Sequence, residues 1–468
     1  MTLAERFDWK DFLKRVAVIA IPVALQNLLT TTGSMVDTMM LAVLGENTVG
    51  AVGLCAQFSS LMFSCYWGFV GGGMLFFSQY FGAKDDDGIN RSYGLTWTCM
   101  MTVGIIFCLL AVSVPDLVMR LYTDKTVLHG IGVRYLRIVG YAYPLQVYSM
   151  CMASLLRTTD RVKIPLYGAI ASVLTNILFN AFLIPRMGVE GAALATVIAA
   201  LINVTVIVIF AKLSRHPYLL AVKYHFHFES AFVRVYFRKC LPILANELLI
   251  GVGNMVINIV LGRQSEQAIA ALAVFRALEG FVIGFFAGFS NASSVLVGTE
   301  VGAGNLKTAW ERAKRIVYLC SGFIALAVLF LFAIHTPLFH AMGLKGQSFD
   351  YCTGLLIIYG IAAVIRMGNW TMNDTYRSAG DALTGTVLEI IFMYAVLLPA
   401  VCLTGLVWKA PFLIVFAMCY VDEPIRYIIM QIHLYSGKWI RPVTEQGKAA
   451  LGQFLEERKQ AMRLHRTT

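Results

Sequence analysis

Charge is scarce in this chain. Only 14% of its 468 residues are Asp, Glu, Lys or Arg, while 58% are hydrophobic and the mean hydropathy is +0.70. Soluble proteins carry roughly 25% charged residues, so a soluble globular protein of this length is excluded. Nucleotide-binding signals are missing too. No GxxxxGK(S/T) loop occurs, and Gly71-Gly72-Gly73 lies inside an apolar run, where close helix approach explains it better than phosphate binding. No HExxH or GxSxG pattern is present, and no cluster of acids or histidines marks one membrane face, so an integral-membrane enzyme is not expected. The ten cysteines are scattered singly from Cys55 to Cys419 without a CxxC, and read as small buried apolar residues rather than disulfides or zinc ligands. His225 and His227 are close in sequence but lack a third ligand, so no metal site is expected there.

Long apolar runs fill the chain instead. Twelve are long enough to span a bilayer, near 16–44, 50–82, 92–114, 131–156, 164–185, 188–211, 240–262, 268–302, 315–335, 350–376, 383–405 and 410–435. A span needs about 20 apolar residues for roughly 30 Å of hydrocarbon. The first run follows a charged start without a small-residue cleavage site, so it reads as a span and not as a signal peptide.

The runs repeat. A gapless shift of 220 residues lays Pro22 on Pro242, Gly33 on Gly253, Gly68-Phe69 on Gly288-Phe289, Gly82-Ala83 on Gly302-Ala303, Gly140 on Gly360 and Arg157 on Arg377. Two halves running in the same sense imply a parallel repeat of an even number of spans, a common transporter design. Gly280, Gly284 and Gly288 recur at four-residue intervals, with Ser60, Ser64 and Gly68 as counterparts. Such rows let helices approach closely, and packing within each bundle is the expectation.

The net charge of +11 does not signal nucleic acid. With both termini inside the cell, 27 Lys/Arg fall on cytoplasmic segments, 6 on outer loops and 5 within spans, the positive-inside pattern. No nucleic-acid partner is expected; membrane lipids are. The predicted organisation is an N-lobe over 1–214, a cytoplasmic linker over 215–239, a C-lobe over 240–436 and a polar helical tail over 437–468. Without a nucleotide site, transport must draw on an ion gradient. No ATPase subunit is required, no cofactor is called for, and a monomer is expected.

These residues resemble the multidrug and toxic compound extrusion (MATE) family. The likeness rests on Pro22 and Val36-Asp37-Thr38 in the first span, Gly82-Ala83-Lys84 closing the second, and Leu156-Arg157 and Tyr376-Arg377-Ser378-Ala379-Gly380-Asp381 at the inner ends of the fourth and tenth. The resemblance implies an all-α integral membrane protein with twelve transmembrane helices, in two six-helix lobes forming a V around a central cavity. It implies antiport of amphipathic, often cationic, organic compounds against Na⁺ or H⁺ at the plasma membrane. A lipid-linked precursor flippase of the same superfamily is the alternative; twelve spans and few cavity cations count against it.

Asp37 is the first candidate. A charge at mid-membrane costs about 2.5–3.5 kcal/mol and needs a partner, a proton or a role. It lies fifteen residues after Pro22, about 22 Å along a straight helix. Asn176 and Asn180 share one face of the fifth span, and Thr196 lies about two turns into the sixth. The four match the family's N-lobe cation site by position, as oxygen ligands for Na⁺ or as a hydrogen-bonded nest around a proton on Asp37. Pro22 permits a bend in the first helix. Glu247 and Arg366 have similar estimated depth and form a candidate C-lobe pair, where one branch of the family has two acids. Gln26, Asn27, Tyr141, Tyr143, Gln146, Met367 and Trp370 are candidates for the substrate cavity wall. Glu423 with Arg426, and Arg276 with Glu279, are expected to pair at three-residue spacing. Asp374 and Glu389 have no evident partner and are held as cavity-lining candidates.

Overall fold

A computed structural model of the chain describes residues 8–226 and 228–467, with side chains described except at 341 and 461–467. His227 therefore lies outside the described residues. The first repeat comprises α1 (Trp9–Ala42), α2 (Glu46–Ala83), α3 (Asp86–Ser113), α4 (Pro115–Tyr122), α5 (Thr126–Val139), α6 (Ala142–Thr158), α7 (Lys163–Met187) and α8 (Val189–Leu213). A single turn, α9 (Val222–His225), precedes the second repeat. That repeat comprises α10 (Ser230–Leu261), α11 (Glu266–Gly302), α12 (Leu306–Ala341), α13 (Gln347–Ser378), α14 (Thr384–Val407), α15 (Phe412–Met418) and α16 (Glu423–Ser436), with α17 (Glu445–Thr467) as the tail.

Among the described residues, ten helices are long and apolar enough to cross a membrane. The fourth and twelfth apolar runs are each two shorter helices instead, broken at 140–141 and 419–422. Both breaks stand within five residues before a proline, Pro144 and Pro424. A proline supplies no N–H to the carbonyl four residues back and its ring crowds that carbonyl. Their repeat counterparts are Val364 and Val204, so α13 and α8 run through the equivalent points unbroken. Pro22 and Pro242 sit inside continuous helices, so a proline permits a break without forcing one.

The 220-residue repeat extends to backbone conformation. Lys84 (φ 56°) matches Gly304 (φ 81°), and Asp160 (φ 61°) matches Gly380 (φ 98°), so both pairs of turns use the left-handed region at equivalent positions. That region is routine for glycine and costs other residues about 1–2 kcal/mol. Asp85 caps α3 by accepting the Gly88 amide at 2.8 Å, satisfying one of its free N–H groups.

The described chain forms two compact units. One holds residues 26–81 and 85–254; the other holds residues up to Leu25, then 82–84 and everything from Met255 onward. Each unit thus combines most of one repeat with the opening stretch of the other repeat's first helix. Small residues explain the pairing. In the first-repeat unit a Cβ on Gly68 would stand 2.5 Å from the Leu244 Cα of α10, and one on Gly72 would stand 2.1 Å from Cys240 Sγ. In the second-repeat unit a Cβ on Gly288 would stand 2.4 Å from the Ala20 carbonyl oxygen of α1. Gly68 and Gly288 are repeat counterparts. Their close contact is with the first helix of the opposite repeat, which corrects the expectation of packing within each repeat's own bundle.

The tail is helical, as its sequence indicated, but docked rather than free. Trp439, Ile440 and Phe454 join the core cluster of Val301, Ala309, Tyr376 and Leu434. Thr444 donates to the Gly302 carbonyl at 2.8 Å, meeting an unpaired oxygen at the end of α11, and accepts from the Gly447 amide.

Candidate functional site

Three elements bring the polar groups of the first-repeat unit together. Asp37 stands near the end of α1, Asn176 and Asn180 one turn apart on α7, and Thr196 on α8. Asn180 Nδ2 donates to Asp37 Oδ1 at 2.6 Å and to Asn176 Oδ1 at 3.1 Å. Asn180 is fully buried, and its Oδ1 has no hydrogen-bond partner. Thr196 donates to the Ala192 carbonyl at 3.0 Å and also bonds the hydroxyl of Tyr135, which lies within electrostatic range of Asp37. Among the described residues no Lys or Arg pairs with Asp37. Its hydrogen-bond donor is the neutral Asn180 amide.

Tyr135, on α5 in the first part of the broken fourth span, was missed from sequence. An aromatic ring in a span is usually packing, but a buried hydroxyl requires a partner, and that need was the available signal.

The cavity candidates have diverse surroundings. Gln26 Oε1 accepts from Arg157 Nη2 at 2.8 Å, fixing a buried guanidinium in the last turn of α6. Asn27 and Gln146 are half-buried, and Tyr141 is exposed at the break between α5 and α6. Tyr143 is buried and holds Ser59 at 3.1 Å. Met367 is fully buried, so it packs the core and offers no open wall. Trp370 lies edge-on to Phe286 and beneath the Arg366 guanidinium, whose carbon is 4.6 Å from the ring centre. Pro22 is buried within α1.

The second-repeat unit handles its acids differently. Arg276 pairs with Glu279 at 3.1 Å, and Arg366 stands 3.7 Å from both Glu279 and Glu423. Arg426 holds Glu423 at 2.7 Å and stands 3.6 Å from Asp422 and 3.9 Å from Glu389. Arg377 closes the chain, 3.9 Å from Glu389 and 3.7 Å from Asp374. Asn369 and Asn373 donate to Glu423 and Glu389 at 2.7 and 2.9 Å, and Ser290 donates to Asp374. Both spacing-based pairs are present. Asp374 and Glu389, expected to lack partners, each have a guanidinium and a neutral donor. Arg366 meets its acids on α11 and α16; Glu247, its partner in the sequence reading, belongs to the other unit.

Outside the spans, His225 is buried and its Nε2 lies 2.8 Å from the Tyr218 carbonyl oxygen. Among the described residues no group of three His, Cys, Asp or Glu is placed to hold a metal ion.

A duplicated, all-helical, multi-pass membrane protein with buried polar groups has an architecture common among transporters. The MatE family model matches residues 22–182 and again 242–402, the two stretches separated by the same 220 residues as the repeat. The chain belongs to the MatE family of membrane transporters. It is 23% identical to the probable multidrug resistance protein YoeA of Bacillus subtilis (strain 168) over 404 residues, covering 82% of this chain and 85% of that protein. It is likewise 23% identical to the probable multidrug resistance protein NorM of Agrobacterium fabrum over 405 residues, with the same coverage. A crystal structure of MATE in complex with MaL6 superposes with TM-score 0.82 at 15% identity, covering 91% of this chain and 97% of that one. An outward-facing multidrug resistance MATE transporter superposes with TM-score 0.80, also at 15% identity, covering 91% and 96%. These likenesses establish the fold of two six-helix lobes.

Proposed function

We propose that this protein is a secondary active exporter of amphipathic, often cationic, organic compounds, driven by entry of Na⁺ or H⁺ at Asp37. It lies in the plasma membrane with both termini on the cytoplasmic side. The observation that carries the reading is the electrostatic setting of Asp37. A carboxylate on a membrane-spanning helix requires neutralisation, and here no fixed cation supplies it. A mobile cation or a proton is then the remaining counter-charge.

The donor set suits either one. As arranged, the Asn180 amide N–H faces the carboxylate, which steadies its charged form. Rotating that amide turns Oδ1 toward Asp37, adding a neutral oxygen beside the carboxylate and Asn176, the oxygen ligation that hard cations take. The multidrug names of the relatives and the positive-inside charge distribution support the export reading and the topology. The Arg-rich cluster around Glu423 and Glu389 serves as fixed structure, with each acid held by a guanidinium.

Ethidium efflux from proteoliposomes under an imposed Na⁺ gradient, and then a pH gradient, tests the proposal. One gradient is expected to drive efflux in the wild type and to fail in Asp37→Asn. Unchanged gradient-driven efflux in folded Asp37→Asn sinks the assignment of Asp37. No efflux under either gradient from folded wild type moves the reading to a lipid-linked substrate.

A further inference from the structure

We infer that a groove beside the opening half of α1 seats one acyl chain of an anionic phospholipid from the cytoplasmic leaflet. The inference rests on the topology proposed above. The groove lies wholly within the second-repeat unit and has a volume of about 370 Å³. Its walls are α1 from Leu13 to Leu25, Phe285 and Phe289 of α11, and Leu319 and Phe323 of α12. Every lining side chain is apolar, so nothing in it recognises a polar ligand.

Its length and its mouth specify the occupant. Leu13 and Leu25 stand twelve positions apart, about 18 Å along a helix, close to the ~15 Å of one leaflet in a ~30 Å hydrocarbon core. The mouth carries two lysines on the α1 wall and, on the α12 wall, an arginine paired with Glu311. Lys10 and Lys14 share the α1 face that carries Ala17 and Ile21, at three- and four-residue spacings. On α12, Arg315 stands one and two turns before Leu319 and Phe323, with its guanidinium 5.4 Å from the Trp9 ring centre. The acids nearby are engaged locally: Asp11 with Arg15 at 2.7 Å, Glu311 with Arg315 at 3.2 Å, and Asp8 accepting the Lys10 and Asp11 amides. An apolar slot one leaflet deep, opening on lysines, arginine and tryptophan at the headgroup level, fits a phospholipid better than a drug or a protein segment. The groove also spans Pro22, so a seated chain buttresses α1 where its hydrogen-bond ladder is interrupted.

Native mass spectrometry of the full chain with mixed phosphatidylglycerol and phosphatidylcholine tests this. Bromine-labelled phosphatidylglycerol quenching, compared between wild type and Trp9→Phe, locates the lipid. One retained phosphatidylglycerol is expected, with a share of the quenching that is lost in Trp9→Phe while that of the other six tryptophans remains. Ala17→Phe fills the slot and is expected to abolish retention. Lys10→Gln with Lys14→Gln, on the exposed face and harmless to folding, is expected to weaken retention roughly 5-fold per lysine, the ~1 kcal/mol a basic residue gains at an anionic surface. Equal retention of both lipids with no effect of the lysine changes overturns the inference. So does displacement of the lipid by ethidium at efflux concentrations, which marks a substrate path, or cross-linking of two copies through Ala17→Cys, which marks a dimer face.

Discussion

Replacing Arg366 with Met should destabilise the protein far more than removing the charge of the acid it holds. Arg366 stands 3.7 Å from Glu279 and from Glu423, whose side chains are only 6% and 5% exposed. At an effective dielectric of about 20, each contact has a gross attraction of about 4 kcal/mol, largely offset by desolvation of the ions. Deleting one partner keeps that desolvation cost without the attraction, and typically costs about 3–5 kcal/mol. The network's charge count gives the effect a direction. Among the described residues, four guanidiniums (Arg276, Arg366, Arg377, Arg426) face five carboxyls (Glu279, Asp374, Glu389, Asp422, Glu423), a formal charge of −1. Arg366→Met takes it to −2, whereas Glu279→Gln brings it to zero. The expected order is therefore Arg366→Met worst, Glu279→Gln mild, and the double variant more stable than Arg366→Met alone. Unfolding in detergent followed by thiol labelling of the buried cysteines measures it. Equal losses in the two single variants, or a double variant that simply adds them, would refute the charge argument.

Three further outcomes follow from local geometry. Gly380→Ala should cost about 2–4 kcal/mol in thermal unfolding, because the residue holds φ 98° and a Cβ would meet the Arg441 carbonyl oxygen at 2.0 Å; Asp160→Gly at the equivalent turn should cost nothing. Trp310→Ala should loosen the tail and speed tryptic cleavage at Lys448 and Arg458, since Trp310 donates to Leu434 at 3.0 Å and lies between Lys314 Nζ at 3.3 Å and Arg458 at 3.8 Å. His216 should make stability fall in acid. Burial, aided by Arg161, pushes its pKa from 6.5 down to about 4, and its Nδ1 accepts the Leu219 amide. The unfolded chain then takes a proton below about pH 6.5 that the folded chain refuses until about 4, so this contribution is complete above 6.5 and shrinks by up to about 3 kcal/mol on the way down. His216→Gln should flatten that window, and an unchanged slope would discount the assignment.

What could be read from the sequence depended on whether the cause was local. The repeat was legible because a gapless offset keeps helix ends, glycines and inner turns in step, down to left-handed backbone at Lys84 and Gly304. The convergence of Asp37, Asn180 and Asn176 was legible because depth and helical spacing constrain where side chains on adjacent spans can meet. The broken fourth and twelfth spans were hidden, since apolar composition cannot distinguish one helix from two. Their signal was Pro144 and Pro424, each without a proline counterpart in the other half. The partners of Arg366, Asp374 and Glu389 were beyond reach, because they depend on which faces of α11, α13, α14 and α16 meet. Depth along a helix says nothing about its rotation.

The halves share a backbone plan but treat buried acids in opposite ways. In the second-repeat unit each carboxyl lies beside a guanidinium, and Asn369, Asn373 and Ser290 add neutral donors, so displacing any one ion exposes another. That interlock favours rigidity. In the first-repeat unit Asp37 keeps a single carboxylate among amides and hydroxyls, and Asn180 retains an acceptor oxygen with no partner. An arrangement that lacks its own counter-charge gains by taking up a mobile cation or a proton, which is what ion binding demands. A fixed guanidinium there would stabilise the carboxylate in every conformation equally and could not bias one over another, because a ligand shifts an equilibrium only by its differential affinity for the two states. In the proposed mechanism, the absence among the described residues of a paired base at Asp37 is the property through which an ion gradient would act on this fold.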